Sequence, residues 1–169
     1  MARTSPLGAL ARGLAAGVAG TAAMTAAQEL SIKLMGSGEQ PQPPDAGPSD
    51  PWEAASTPAK VARRVIEGVF DREVSADSIP LLTHAMHWGY GIGWGAVYGL
   101  IEGTSPGPAL RRGPLFGTAV WGLSYAELVP MGLYEPPWKY GVKDLALEVG
   151  YHLVYGTGVA AAYAAIERA

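Results

Sequence analysis

The chain contains no cysteine, which excludes disulfide bridges, thiolate metal sites and cysteine nucleophiles together. It has no basic excess either. Twelve Lys and Arg against 15 Asp and Glu leave a net charge of −3, and no basic patch with interleaved aromatics offers a nucleic-acid surface. Familiar catalytic signatures are missing as well. Ser124 stands three residues before Glu127, but no Gly-x-Ser-x-Gly elbow surrounds it. GYGIGWG at residues 89–95 imitates a dinucleotide loop, yet it lies inside an apolar run with no strand before it. These absences point away from an enzyme.

The most informative absence is that of charge over long stretches. Residues 13–28, 78–101 and 149–166 hold no Asp, Glu, Lys or Arg, and residues 113–134 hold only Glu127. About 20 residues of helix cross a bilayer core, so each stretch can span one. The expected fold is an all-α, polytopic membrane four-helix bundle, with helices near residues 8–33, 79–102, 111–133 and 143–167. The competing readings are a buried helical core in a soluble domain and, for the first stretch, a cleaved signal peptide with Arg3 and Arg12 as its basic region. Against the latter, Gly13, Gly17, Gly20, Met24 and Gln28 recur at helical spacing and make a smooth contact face.

Arg3, Arg12, Arg111, Arg112 and Arg168 fall on one side of such a bundle, and Lys33, Lys139 and Lys143 on the other. The positive-inside rule then places both termini in the cytoplasm of a multi-pass inner (plasma) membrane protein. The long first loop, residues 36–80, opens with a Pro-rich, acidic linker at 39–51. An amphipathic helix is expected at 57–72, with Thr57 as N-cap, Pro58 as first helical residue, and Val61, Val65, Ile66, Val69 and Phe70 on one face. It reads either as a lid lying in the membrane interface or as a helix packed on the bundle's end.

An internal repeat suggests a duplicated helical hairpin. HWGYGIGWGAVYGLIE from His87 and HLVYGTGVAAAYAAIE from His152 share eight of 16 positions at a constant offset of 65 residues. The first and third stretches correspond weakly, through Gly13/Gly17 and Gly113/Gly117. A pseudo-two-fold axis along the membrane normal would relate the halves, with Gly91 and Gly156 at close helix contacts. Tyr98 and Tyr163 read as interfacial anchors, Glu102 and Glu167 as partners of the cytoplasmic arginines, and Trp138 and Tyr140 as outer-belt residues. Trp88, Trp94 and Trp121 read as packing or belt residues.

Six ionisable residues fall near the same end of this bundle: Glu29, His84, His87, Glu127, Glu148 and His152. Such groups at membrane depth mark a pathway, a ligand site or a buried pair. Glu127, His87, Glu148 and His152 are expected to converge in the interior, with His84 and Glu29 at the rim. Three uses remain open. His84, His87, Glu127, Glu148 and His152 could share a divalent metal, although no cofactor is required by the sequence and the spacing is not that of the Glu-x-x-His bundle sites. The same layer could sense or conduct external protons. It could also be structural, joining helices in a homo-oligomer or in a complex with another membrane protein.

Two segments carry a resemblance. PMGLYEPPW at 130–138 and EVGYHLVYG at 148–156 resemble the YagU-like family of small bacterial inner-membrane proteins, over roughly residues 81–160. The resemblance implies a multi-helix membrane fold, a loose link to acid tolerance and no particular chemistry. Here Tyr151 separates Gly150 from His152, one residue more than in the Gly-His pair of that family.

Overall fold

A computed structural model describes residues 5–35, 50–104 and 109–168. The expected linker at 39–51 lies, up to residue 49, outside the described residues. The described chain is all-α, with no strand: α1 (Pro6–Met35), α2 (Thr57–Phe70), α3 (Ile79–Thr104), α4 (Ala109–Leu128) and α5 (Val142–Arg168), with 3₁₀ turns at Ala76–Ser78 and Pro137–Lys139.

Local chemistry sets the helix ends. The Gly8 amide donates to Ser5 Oγ at 3.1 Å, so Ser5 caps α1 and Pro6 takes the first helical position, where its missing N–H costs nothing. Helix α4 stops at Leu128, five residues short of the span expected from apolarity. Pro130 follows, and the amides of Leu133 and Tyr134 turn back onto the Leu128 carbonyl at 3.0 and 3.3 Å. Gly132, at φ 65°, supplies the left-handed residue that this reversal needs. Helix α2 ends two residues before the expected 72, and its N-cap is Ser56 in place of the expected Thr57. Ser56 makes no capping bond; its hydroxyl meets Thr83 Oγ1 of α3 at 2.7 Å instead.

Small residues determine the packing order. Helix α1 lies against α3 and α5, α4 against α5, and α2 against α3. Along α1 the buried positions are Ala9, Gly13, Ala16, Gly17, Gly20 and Thr21. A Cβ on Gly17 would sit 2.9 Å from the Ile92 Cα, and one on Gly95 would overlap the Gly17 Cα. On the other side, a Cβ on Gly117 would overlap the His152 carbonyl, and one on Gly20 would overlap Val159. Backbones this close gain dispersion contacts that side chains would prevent.

The α3–α4 side is different, since few backbone contacts join these helices and rings fill the space. Phe116 meets Tyr98 at 5.0 Å and Trp94 at 6.1 Å between centroids, and Tyr98 meets Tyr163 edge-on at 5.8 Å. Tyr98 and Tyr163 are each 1% exposed, so they are core residues, not interfacial anchors. Below them Arg112 Nη1 reaches the buried Glu102 carboxylate at 3.2 Å, so Glu102 does pair with an arginine. Glu167 is exposed.

By length and apolarity α1 is the one described helix that qualifies by itself to cross a membrane. A membrane span and a signal sequence share that character. In α3, α4 and α5 the apolar residues are interleaved with Gly, His, Ser, Thr and Tyr. The expected polytopic span set is therefore reduced, at this level of observation, to one membrane-length helix within an all-α bundle.

Candidate functional site

Where the α3–α4 side is no longer filled by rings, the bundle opens into a cavity of about 460 Å³. Five elements reach it: the last third of α1, the start of α2, the start of α3, the end of α4 with the turn after it, and the start of α5. Of the six residues singled out by sequence, His87, Glu127, Glu148 and His152 line this space. His84 and Glu29 are exposed and do not. On α1 the lining comes from Met24 and Gln28, which continue the stripe begun by the buried glycines.

Each polar side chain is held by a neighbour. Glu148 Oε2 accepts from the Tyr125 hydroxyl at 2.7 Å and from Trp121 Nε1 at 3.4 Å. The carboxylate therefore reaches across to α4 and does not pair with His152 one turn away. His152 Nδ1 lies 2.8 Å from the Glu148 carbonyl. A carbonyl can only accept, so Nδ1 carries the proton and Nε2 keeps its lone pair. At His87 the logic runs through a hydroxyl. Thr25 donates its only proton to the Thr21 carbonyl at 2.9 Å, so His87 Nε2, 3.2 Å from Thr25 Oγ1, is the donor in that contact. His87 Nδ1 is then the basic nitrogen. Glu127 Oε2 accepts from the Tyr90 hydroxyl at 3.0 Å, a bond that bridges α3 and α4 at the mouth.

One oxygen of each carboxylate and one nitrogen of each imidazole thus have no hydrogen-bond partner among the described residues. Glu127 is exposed, and in the other three residues the free atom is not buried, since among the described residues no buried side-chain N or O lacks a partner. The arrangement offers two acceptor oxygens and two proton-accepting nitrogens around one space.

The metal reading finds no assembled ligand set. Among the described residues no three His, Asp or Glu side chains approach closely enough to hold an ion. The candidates His84, His87, Glu127, Glu148 and His152 are spread over three helices.

Helix α2 covers the cavity through Thr57, Pro58 and Val61. It is fastened by Ala59 and Ala62, which are buried, by Trp52 with Arg63 stacked 4.7 Å over its ring, and by Arg64, which donates to the Met131 carbonyl. The packed face is thus the alanine face. Val65, Val69 and Phe70 of the expected apolar stripe stay 45%, 71% and 64% exposed.

Several lining residues carry no mark in the sequence as site residues: Tyr90, Trp121, Tyr134 and Tyr151. A helical signal was present for Tyr90, which stands one turn from His87, but not for Trp121, whose six-residue separation from Glu127 puts the two on different sides of an ideal helix. Trp121 lines the cavity, whereas Trp94 packs between Tyr90 and Phe116. Tyr134, in the turn after α4, has its phenol pushed up to about 12, first by burial and then by the Glu148 charge, so it stays neutral and able to donate. Tyr151 is tied to Ser31 at 2.5 Å.

No protein-family model matches the chain, and no curated protein or solved structure matches it either.

Proposed function

We propose that this chain is a small multi-pass inner-membrane protein, built as a duplicated helical hairpin, whose cavity is an outward-facing proton-responsive site. The supporting observation is the gathering of His87, His152, Glu127 and Glu148 at one cavity, with the basic nitrogens and one oxygen of each carboxylate left unpartnered. Imidazole changes charge between about pH 5 and pH 8. Protonation of either ring would place a cation beside carboxylates whose other oxygen already anchors α4. The titratable groups around the two imidazoles are His84 on α3, Glu127 and Tyr125 on α4, Glu148 on α5, and Tyr90 and Tyr134 at the mouth.

Membrane embedding is supported by an inverted distribution of side-chain size. Leu14, Val18, Val97, Leu100, Leu115, Leu123, Leu153 and Val154 face outward, while Gly and Ala hold the helix contacts. Large apolar side chains gain nothing outside a bundle in water, but in lipid they are at home. Retention of α1 as a span, and not as a leader, is favoured by its burial between α3 and α5. The hairpin duplication is favoured by contacts at equivalent positions: Gly17 approaches the Gly91 carbonyl as Gly117 approaches the Gly156 Cα. Membership of the YagU-like family and a role in acid tolerance rest on the sequence motifs at 130–138 and 148–156 alone.

The test is a pH titration of tryptophan fluorescence on the purified chain in mild detergent. Trp121, bonded to Glu148, is the expected reporter. An acid-side transition should vanish in Trp121→Phe and shift in His152→Gln. A flat profile in the folded wild type would sink the proton reading and leave a structural role in a membrane assembly.

A further inference from the structure

We infer that the cavity binds a small organic cation, an ammonium group on an apolar body, with Glu148 and Glu127 as its counter-charges and Trp121, Tyr90 and Tyr134 as its walls. The inference deepens the reading of this cavity as a functional site and rests on it. Charge gives the sign of the ligand. Two carboxylates line the space, each with one oxygen unpartnered, and no Lys or Arg is among the described lining residues. Volume gives its size. A cavity of about 460 Å³ far exceeds the roughly 30 Å³ share of one water, and it lies in the range of small-molecule sites. Among the described residues no three-residue ligand set for a metal is assembled, and the space is larger than a bare divalent ion fills.

The walls give the chemical class. Aromatic faces attract ammonium groups that have been stripped of water, best at Trp and then at Tyr. Met86 and two further methionines line the same space, and their flexible thioethers adapt to an apolar body of irregular shape. Inorganic cations, which are strongly hydrated, gain little from such walls. A quaternary or tertiary amine gains from both the walls and the carboxylates.

The experiment uses the full chain in maltoside micelles and calorimetric titration with three probes of one shape: benzyltrimethylammonium, its neutral isostere neopentylbenzene, and benzenesulfonate as the anion, micelle-only heats being subtracted. The cation should bind about tenfold or more tighter than the neutral probe, and the anion should not bind. Glu148→Gln, read alongside helical circular dichroism to show that it folds, should weaken cation binding about tenfold. Trp121→Phe should retain most of the affinity and Trp121→Leu should lose it, which separates the ring face from the indole hydrogen bond. Equal binding of cation and neutral probe overturns the inference, and so does absence of cation binding to folded wild type. Fluorescence titration with acid, without any probe, keeps the two readings apart. A persisting pH transition with no cation binding removes only this inference, and cation binding with no pH transition removes only the proton reading.

Discussion

The Tyr125 hydroxyl donates to the Glu148 carboxylate across 2.7 Å, joining α4 to α5 at the edge of the cavity. The same oxygen takes a longer bond from Trp121 at 3.4 Å. Glu148 is thereby fixed in position by two donors from one helix, while its second oxygen stays open.

Replacing Tyr125 by Phe should therefore loosen the site more than it unfolds the protein. Interhelical hydrogen bonds in bilayers contribute about 0.6 kcal/mol on average and seldom more than about 2. A loss within that range, read by denaturant titration in detergent, is expected for Tyr125→Phe. No loss at all would mean that the bond is not formed in solution.

Glycine substitutions should divide sharply by position. Gly117→Ala sets a Cβ against the His152 carbonyl and Gly95→Ala against the Gly17 backbone, where nothing flexible can yield. Costs of about 1–3 kcal/mol are expected from such overpacking. Gly93 and Gly122 meet nothing within 4 Å, so Ala at either should be neutral or should stabilise by up to about 1 kcal/mol through helix propensity. Thermal melts of the four variants check the contrast, and equal behaviour would refute the packing.

The opposite end of the bundle carries its own test. Glu102 is buried, 8% exposed, and its neighbours include Arg112 at 3.2 Å and the Tyr98 hydroxyl. Arg112→Ala leaves the buried carboxylate without its cation and should cost about 3–5 kcal/mol. Glu102→Gln with Arg112 retained should cost less, because Arg112 is partly solvated. A reversed order of the two variants would show that the pair is not the stabilising unit.

Membrane embedding is open to direct mapping, because the chain has no native cysteine. Single cysteines at Val97 and Leu123, 40% and 43% exposed on the outside of the bundle, should resist an impermeant thiol reagent in intact cells. Trp138, 81% exposed in the turn before α5, should react from the outside when changed to Cys. Labelling at 97 or 123 would remove the spans, and labelling at 138 only after lysis would invert the orientation.

The sequence by itself determined the helices and one of their faces. Charge-free runs and a Gly13/Gly17/Gly20 stripe are properties of neighbouring residues on one helix, and they located α1, α3, α4 and α5 to within a few residues; only the end of α4 was set by a turn that apolarity does not register. Periodicity also singled out four of the polar lining residues, because i to i+4 spacing is a local quantity. Which oxygen meets which hydroxyl was not legible. Glu148 and His152 look like a pair on one helix, yet Glu148 crosses to Tyr125 while His152 turns to a backbone carbonyl. Tyr98 and Tyr163 look like amphipathic anchors, yet they meet edge-on in the core. These outcomes depend on the spacing between helices, which glycine contacts make small along α1 and α5 and which rings keep wide between α3 and α4. Inter-helix distance is a tertiary quantity, and it alone turned a line of ionisable residues into a cavity.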